Sequence, residues 1–269
     1  MQMVVDSNQL QNPQLRAFLE ASTANRAILT DYAAMEALQG NAVKSMVNAM
    51  SIVGDYPDQI IVLKTTQSIC QLSGEADGLQ RRLIDTSQTS GFAEYIRKLK
   101  VAESGYQPMV DELLKMARDA TEQLNRMLLD AAEVAPIFGD LSAGFNKEER
   151  RIIRDNAPLT MTMVDTLIKS VIDVSCEIFR THPNAPHKVT YEQLPNTFIF
   201  RNSLCCCLLA LEWTAIGGAK DAQHHKIRND MIDSHFVTYA TYFDGLLSDD
   251  AKALRMYSRA KEVLERAFG

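Results

Sequence analysis

Short β-branched runs open the chain, and long stripes of helical period fill most of the remainder. The segment QMVVD, residues 2–6, is an apolar run ending in Asp6, with the turn formers Ser7 and Asn8 directly after it. It reads as a buried strand. Asn12 then Pro13 supplies an N-cap and a first-turn proline, opening a helix through about Glu20. Asp31 is placed to cap the next helix, expected in one piece over YAAMEALQGNAVKSMVNAMSIV, with Glu36 in its second turn. Tyr56-Pro57-Asp58 makes a turn, and QIIVLK, 59–64, reads as a second buried strand.

From about residue 66 the period becomes helical and stays so to about residue 216. Within 108–134, Met109, Leu113, Met116, Ala120, Leu124, Met127 and Leu128 recur at helical spacing. Further helices are expected over roughly 91–101, 147–156, 160–180 and 194–216, the last closed by Gly217-Gly218. RTHPNAPHKV, 180–189, is a long loop. A helix from about 229 to 243, a short strand GLLS and a final helix to Phe268 complete the chain. Sparse turn formers, with Gly at 12 and Pro at 8, argue against an all-β fold.

Charge and cysteine usage narrow the setting. A formal charge of −6 excludes holding nucleic acid by bulk positive charge, while leaving room for a local basic groove. Five cysteines, an odd number in a chain this long, do not read as a disulfide framework, so a reduced cytoplasmic setting is expected. The first ten residues lack the pattern of a signal peptide, and LCCCLLAL, 204–211, is too short to span a bilayer. No membrane partner is expected.

The chemistry concentrates in acids. Asp230, Asp233, Asp244, Asp249 and Asp250 crowd among Phe236, Tyr239, Phe243, Leu246 and Leu247, although aspartate is seldom buried unless paired or bound to a cation. Asp230 and Asp233 lie one turn apart on one helical face. Asp249 and Asp250 follow the strand GLLS just as Asp6 follows MVV. Acids beyond the carboxyl ends of parallel strands stand where such sheets bind ligands, and oxygen-only ligation suits Mg²⁺ or Mn²⁺. Taken singly, each acid also has a structural reading. Asp249 is placed as the N-cap of the last helix, Asp230 as a first-turn residue of its own, and Asp6 as the start of a turn.

The order of these acids resembles the PIN-domain nucleases. The matching residues are Asp6 in VVDSN, Glu36 in LTDYAAMEAL, Asp233 in NDMIDSHFVTYA and Asp250 in GLLSDD, with Asp230 and Asp249 as alternative or supplementary metal ligands. The likeness covers roughly 2–70 and 222–260. It is nearest to the larger PIN-like proteins among bacterial toxin and defence nucleases. The long helical block between Glu36 and Asp233, and a helix at the C-terminus where a strand is usual, depart from the small PIN toxins.

The resemblance implies an α/β fold: a PIN-like parallel-sheet core made of 1–70 and 221–269, with an all-helical insertion, 71–220, packed on it and helix dominant overall. It implies a hydrolase, a Mg²⁺- or Mn²⁺-dependent endoribonuclease leaving a 5′-phosphate and a 3′-hydroxyl, acting as a toxin or antiviral defence effector. Asp6, Glu36, Asp233 and Asp250 would be the catalytic metal ligands, with Thr30 and Ser248 placed to orient them, a local helix cap being the favoured role of Thr30. DNA is the alternative substrate, and a non-catalytic interaction module is the alternative function. A regulatory or antitoxin protein would bind the helical insertion.

Lys226 and Arg228, immediately before the acidic helix, and Lys64, after the second strand, are the candidate contacts to substrate phosphates. Cys205, Cys206 and Cys207 point about 100° apart on a helix and so read as core rather than as a zinc site. His224-His225 reads as a hydrated linker and His235 as structural. GGAK, 217–220, lacks the spacing of a phosphate-binding loop.

Overall fold

In the computed structural model, β1 (Gln2–Val5), β2 (Arg26–Leu29), β3 (Ile60–Val62) and β4 (Gly245–Leu247) form one sheet in the order β3-β2-β1-β4. Every pairing is parallel, with Val4 opposite Ile28 on one side and Leu246 on the other. The structure describes residues 1–183, 185, 186, 188–218 and 223–269, with the backbone course alone for 129–143. Ala219-Lys220 of the GGAK stretch, Asn184 and His187 of the long loop, and the side chains of the helical stripe beyond residue 128 lie outside the described residues.

The helices in chain order are α1 (Pro13–Glu20), α2 (Asp31–Ala37), α3 (Ala42–Ala49), α4 (Thr66–Cys70), α5 (Leu79–Leu83), α6 (Thr86–Ser90) and α7 (Phe92–Glu103). They continue as α8 (Gln107–Ala143), α9 (Lys147–Arg154), α10 (Met161–Thr181), α11 (Phe198–Ala215), α12 (His224–Ala240) and α13 (Ala251–Phe268). Helix dominates a small parallel sheet, as the α/β reading expects.

Three local readings change. β2 was not expected, because RAIL has only four residues and no alternation. Its Ala27, Ile28 and Leu29 are all buried, as a strand flanked on both edges requires. Gln59 holds the bend before it, donating to the Leu19, Ser22 and Asn25 carbonyls at 3.0–3.1 Å. The single helix expected after Asp31 is two, because Gly40 takes a left-handed φ of 77° and Asn41 caps α3 by accepting from the Lys44 N–H. Thr30 rather than Asp31 caps α2, accepting from the Ala33 N–H at 3.2 Å. Asp31 instead accepts from the backbone N–H of Thr66 at 2.7 Å and from its hydroxyl.

The chain divides into two units whose bounds differ from those expected. One comprises 1–66, 80–126 and 242–250; the other comprises 67–79, 127–241 and 251–269. Residues 80–126, expected in the insertion, belong with the sheet: α6 packs on β3, and α7 on α3. Residues 221–241 and 251–269, expected with the sheet, belong with the helices, because α12 and α13 both pack on α11.

α11 is the core of the helical unit. Phe198, Phe200, Leu204, Cys205, Leu208, Leu209 and Leu211 are buried on every side of it, against α9, α10, α12 and α13. By length and composition it could cross a membrane, yet 72% of it is buried within the fold, as befits a helix apolar all round. Burial pushes the Cys205, Cys206 and Cys207 thiols up to about 12, 11 and 12, which leaves them inert as nucleophiles. Around this core Arg255 and Arg259 share the Glu212 carboxylate, and Arg201 bonds the Thr241 carbonyl at the end of α12.

Gly74 offers a direct check on the helical unit. A Cβ added there would stand 1.7 Å from the Gln193 carbonyl oxygen, which is backbone. Gly74→Ala is therefore expected to cost roughly 1–3 kcal/mol, read as a lower urea midpoint. An unchanged midpoint would show that the two backbones do not approach so closely.

Candidate functional site

The sheet order places one position of special geometry. From β1 the chain crosses to β2 and then β3 on one side, while β4 returns to pair with β1 on the other. Strand order reverses between β1 and β4, and such a switch point leaves a crevice beyond the strands' carboxyl ends. Asp6 follows β1 there and Ser248 follows β4, and the Asp6 N–H continues the ladder by donating to Leu247 O at 3.0 Å.

Asp6 is only 3% exposed. Its Oδ2 accepts from the Ser248 hydroxyl at 2.6 Å and from the Asn8 side-chain amide at 2.8 Å. The same Ser248 oxygen accepts from the Asp250 N–H at 3.0 Å, so one hydroxyl ties the Asp6 carboxylate to the Asp250 backbone. Burial raises the Asp6 carboxyl above its ordinary value; the Ser248 hydroxyl and the Asn8 and Ser7 N–H groups pull it back, and the Asp250 charge raises it again. The Asp6 carboxyl is thus buried, and the half-buried Asp250 is near enough for its charge to act on it.

Glu36, half-buried in the second turn of α2, opens on a groove of about 330 Å³ shared with Ser7 and Asn8. Asn8 therefore touches both the groove and Asp6.

The remaining expected residues have other surroundings. Asp249 does not cap the last helix, which begins at Ala251; its carboxylate accepts from the Asn12 amide at 2.7 Å and ties down the start of α1. Asp244 accepts from the Gln2 N–H at 2.7 Å at the opposite end of β4. Asp233 and Asp230 belong to the helical unit, on α12. Asp230 is buried and ion-paired with Lys252, whose Nζ also lies 5.9 Å from the centre of the Trp213 ring. Asp233 is half-buried one turn later. Lys226 is exposed and Arg228 is bonded to Asn229 in the first turns of α12. Lys64 is half-buried; the Gln88 N–H holds the Asp85 carboxyl down, and the Lys64 charge adds to it. His235 bonds the Met231 carbonyl, in keeping with a structural role.

Among the described residues no group of three or more His, Cys, Asp or Glu side chains could by itself hold a metal ion. A full protein cage is thus not what the sheet unit provides. Instead the Asp6 carboxylate stands with the neutral groups of Ser248 and Asn8, within reach of the Asp250 charge. Magnesium keeps several waters and is commonly bound through one or two carboxylates, so this donor set fits a hydrated Mg²⁺ or Mn²⁺. Asn8 was not singled out in the sequence. Its signal is its place two residues after a strand-closing acid.

The raised Asp6 carboxyl fixes a sign. Folding strengthens its hold on a proton, so its contribution to stability is greatest below the ordinary carboxylate value of 3.8 and falls as pH rises through the folded value. Asp6→Asn removes that cost. The variant is expected to melt above wild type at pH 7 without divalent cations, with the gap closing as pH approaches 3.8. A variant that melts lower at pH 7, or a gap independent of pH, contradicts this assignment.

No protein-family model, curated protein or solved structure matches this chain, so the chemistry of the site rests on its own residues.

Proposed function

We propose that this chain is a PIN-like, Mg²⁺- or Mn²⁺-dependent endoribonuclease. The observation that carries the reading is the Asp6–Ser248–Asp250 cluster at the carboxyl ends of β1 and β4, where the strand order reverses. Asp6 and Asp250 would hold the cation, and Glu36 opens on the groove that Asn8 also lines. The cation would lower the pKa of a bound water and offset charge on the phosphodiester.

The chain's own residues prepare that chemistry. Ser248 fixes the orientation of Asp6, and Asn8 holds the same Asp6 oxygen from the groove side. Burial of Asp6 beside Asp250 makes an uncompensated pair unfavourable, and a divalent cation relieves that cost. Lys64, just beyond β3 in the same unit as Asp6, is the proposed phosphate contact. A role as a toxin or defence effector follows from the family resemblance, with a protein partner on the helical unit as its restraint.

Labelled RNA and DNA incubated with the purified protein test this reading. RNA is expected to be cut in Mn²⁺ and spared in EDTA, and Asp6→Asn is expected to slow cleavage about 100-fold or more. Cleavage that persists in EDTA, or that the variant performs as fast as wild type, overturns it. Faster cleavage of DNA than RNA would overturn the choice of substrate.

A further inference from the structure

The groove shared by Glu36, Ser7 and Asn8 has a lining unlike a phosphate site. Among the described residues no lysine or arginine lines it. Its other polar groups are the amides of Gln11, Gln39 and Asn48 and the hydroxyl of Ser45, while the buried Leu10, Ala37 and Ala49 form its floor. Gln11, Gln39 and Asn48 are exposed, and their side-chain amides have no hydrogen-bond partner among the described residues. At about 330 Å³ the space is at the small end of ligand sites, the scale of a single nucleoside.

A side-chain amide offers a donor and an acceptor side by side. That pair matches the edge of a nucleobase, most directly the N6/N7 edge of adenine. Bases of single-stranded RNA, once unstacked, are read on these edges with their faces against apolar or aromatic surface. We infer that this groove is a nucleobase pocket, in which Gln11, Gln39 and Asn48 read the edge of one base of the bound strand, preferentially adenine. Asn8 then joins recognition to chemistry, lining the pocket while bonding Asp6. The pocket's part in catalysis rests on the nuclease reading, but its affinity for a base does not.

Adenosine tests the pocket separately, because it has no phosphodiester to cut and needs no metal. In a nitrogen-15 NMR titration of the full chain in EDTA, the side-chain amide signals of Gln11, Gln39 and Asn48 are expected to shift saturably. The double variant Gln39→Ala/Asn48→Ala should bind adenosine at least about tenfold more weakly, and Gln11→Ala should weaken it in the same direction. Inorganic phosphate should leave these signals in place. No saturable shift, unaltered affinity in the variants, or displacement of adenosine by phosphate overturns the inference. RNA cleavage without adenosine binding would sink the pocket alone; adenosine binding without RNA cleavage would sink the nuclease reading alone.

Discussion

Parallel pairing of β1 with β4 brings together segments from opposite ends of the chain, and the meeting of Asp6, Ser248 and Asp250 depends on that join. The ladder sets Val5 opposite Leu247 and runs on through the Asp6 N–H, so the residues after the two strands meet side by side. Ser248 then spans a separation of 242 residues to bond Asp6. A hydrogen bond to a charged group contributes about 1.5–3 kcal/mol, and here it also fixes which way the carboxylate faces. Without this pairing Asp6 and Asp250 would be unrelated acids in separate turns.

The crowd of aspartates near the C-terminus resolves into different tasks once partners are assigned. Asp244 satisfies the Gln2 N–H, Asp249 anchors Asn12, and Asp230 is neutralised by Lys252. Asp244 and Asp249 are exposed, and the buried Asp230 has a cation beside it that makes its charge tolerable. Asp6 differs, because burial and the Asp250 charge both act against its ionisation while its donors are neutral. That imbalance costs the fold stability, and a cation bound there would relieve it.

Elements with strong local signals were legible in the sequence. Asn12-Pro13 marks the start of α1, the apolar run before Asp6 marks β1, and GLLS marks β4. α11 was legible as core from its apolar stretch. β2 was not, because four residues carry no period and only burial between two neighbours makes them a strand. The break at Gly40 was hidden inside an otherwise continuous helical pattern. Domain bounds were the least legible, since the surface on which α12 and α13 pack is a tertiary choice that no local pattern encodes. Asp6 and Asp250 stood out as strand-closing acids, whereas Asn8 and the amide-lined groove needed coordinates, because lone Asn and Gln residues look like any solvated surface.

Manganese relaxation reads the central join directly. Substoichiometric Mn²⁺ added to nitrogen-15-labelled protein should first broaden the backbone signals of Asp6, Ser248 and Asp250, and Mg²⁺ should reverse the effect by competition. Broadening that begins elsewhere, or none below millimolar Mn²⁺, would mean that these carboxylates do not form a cation site.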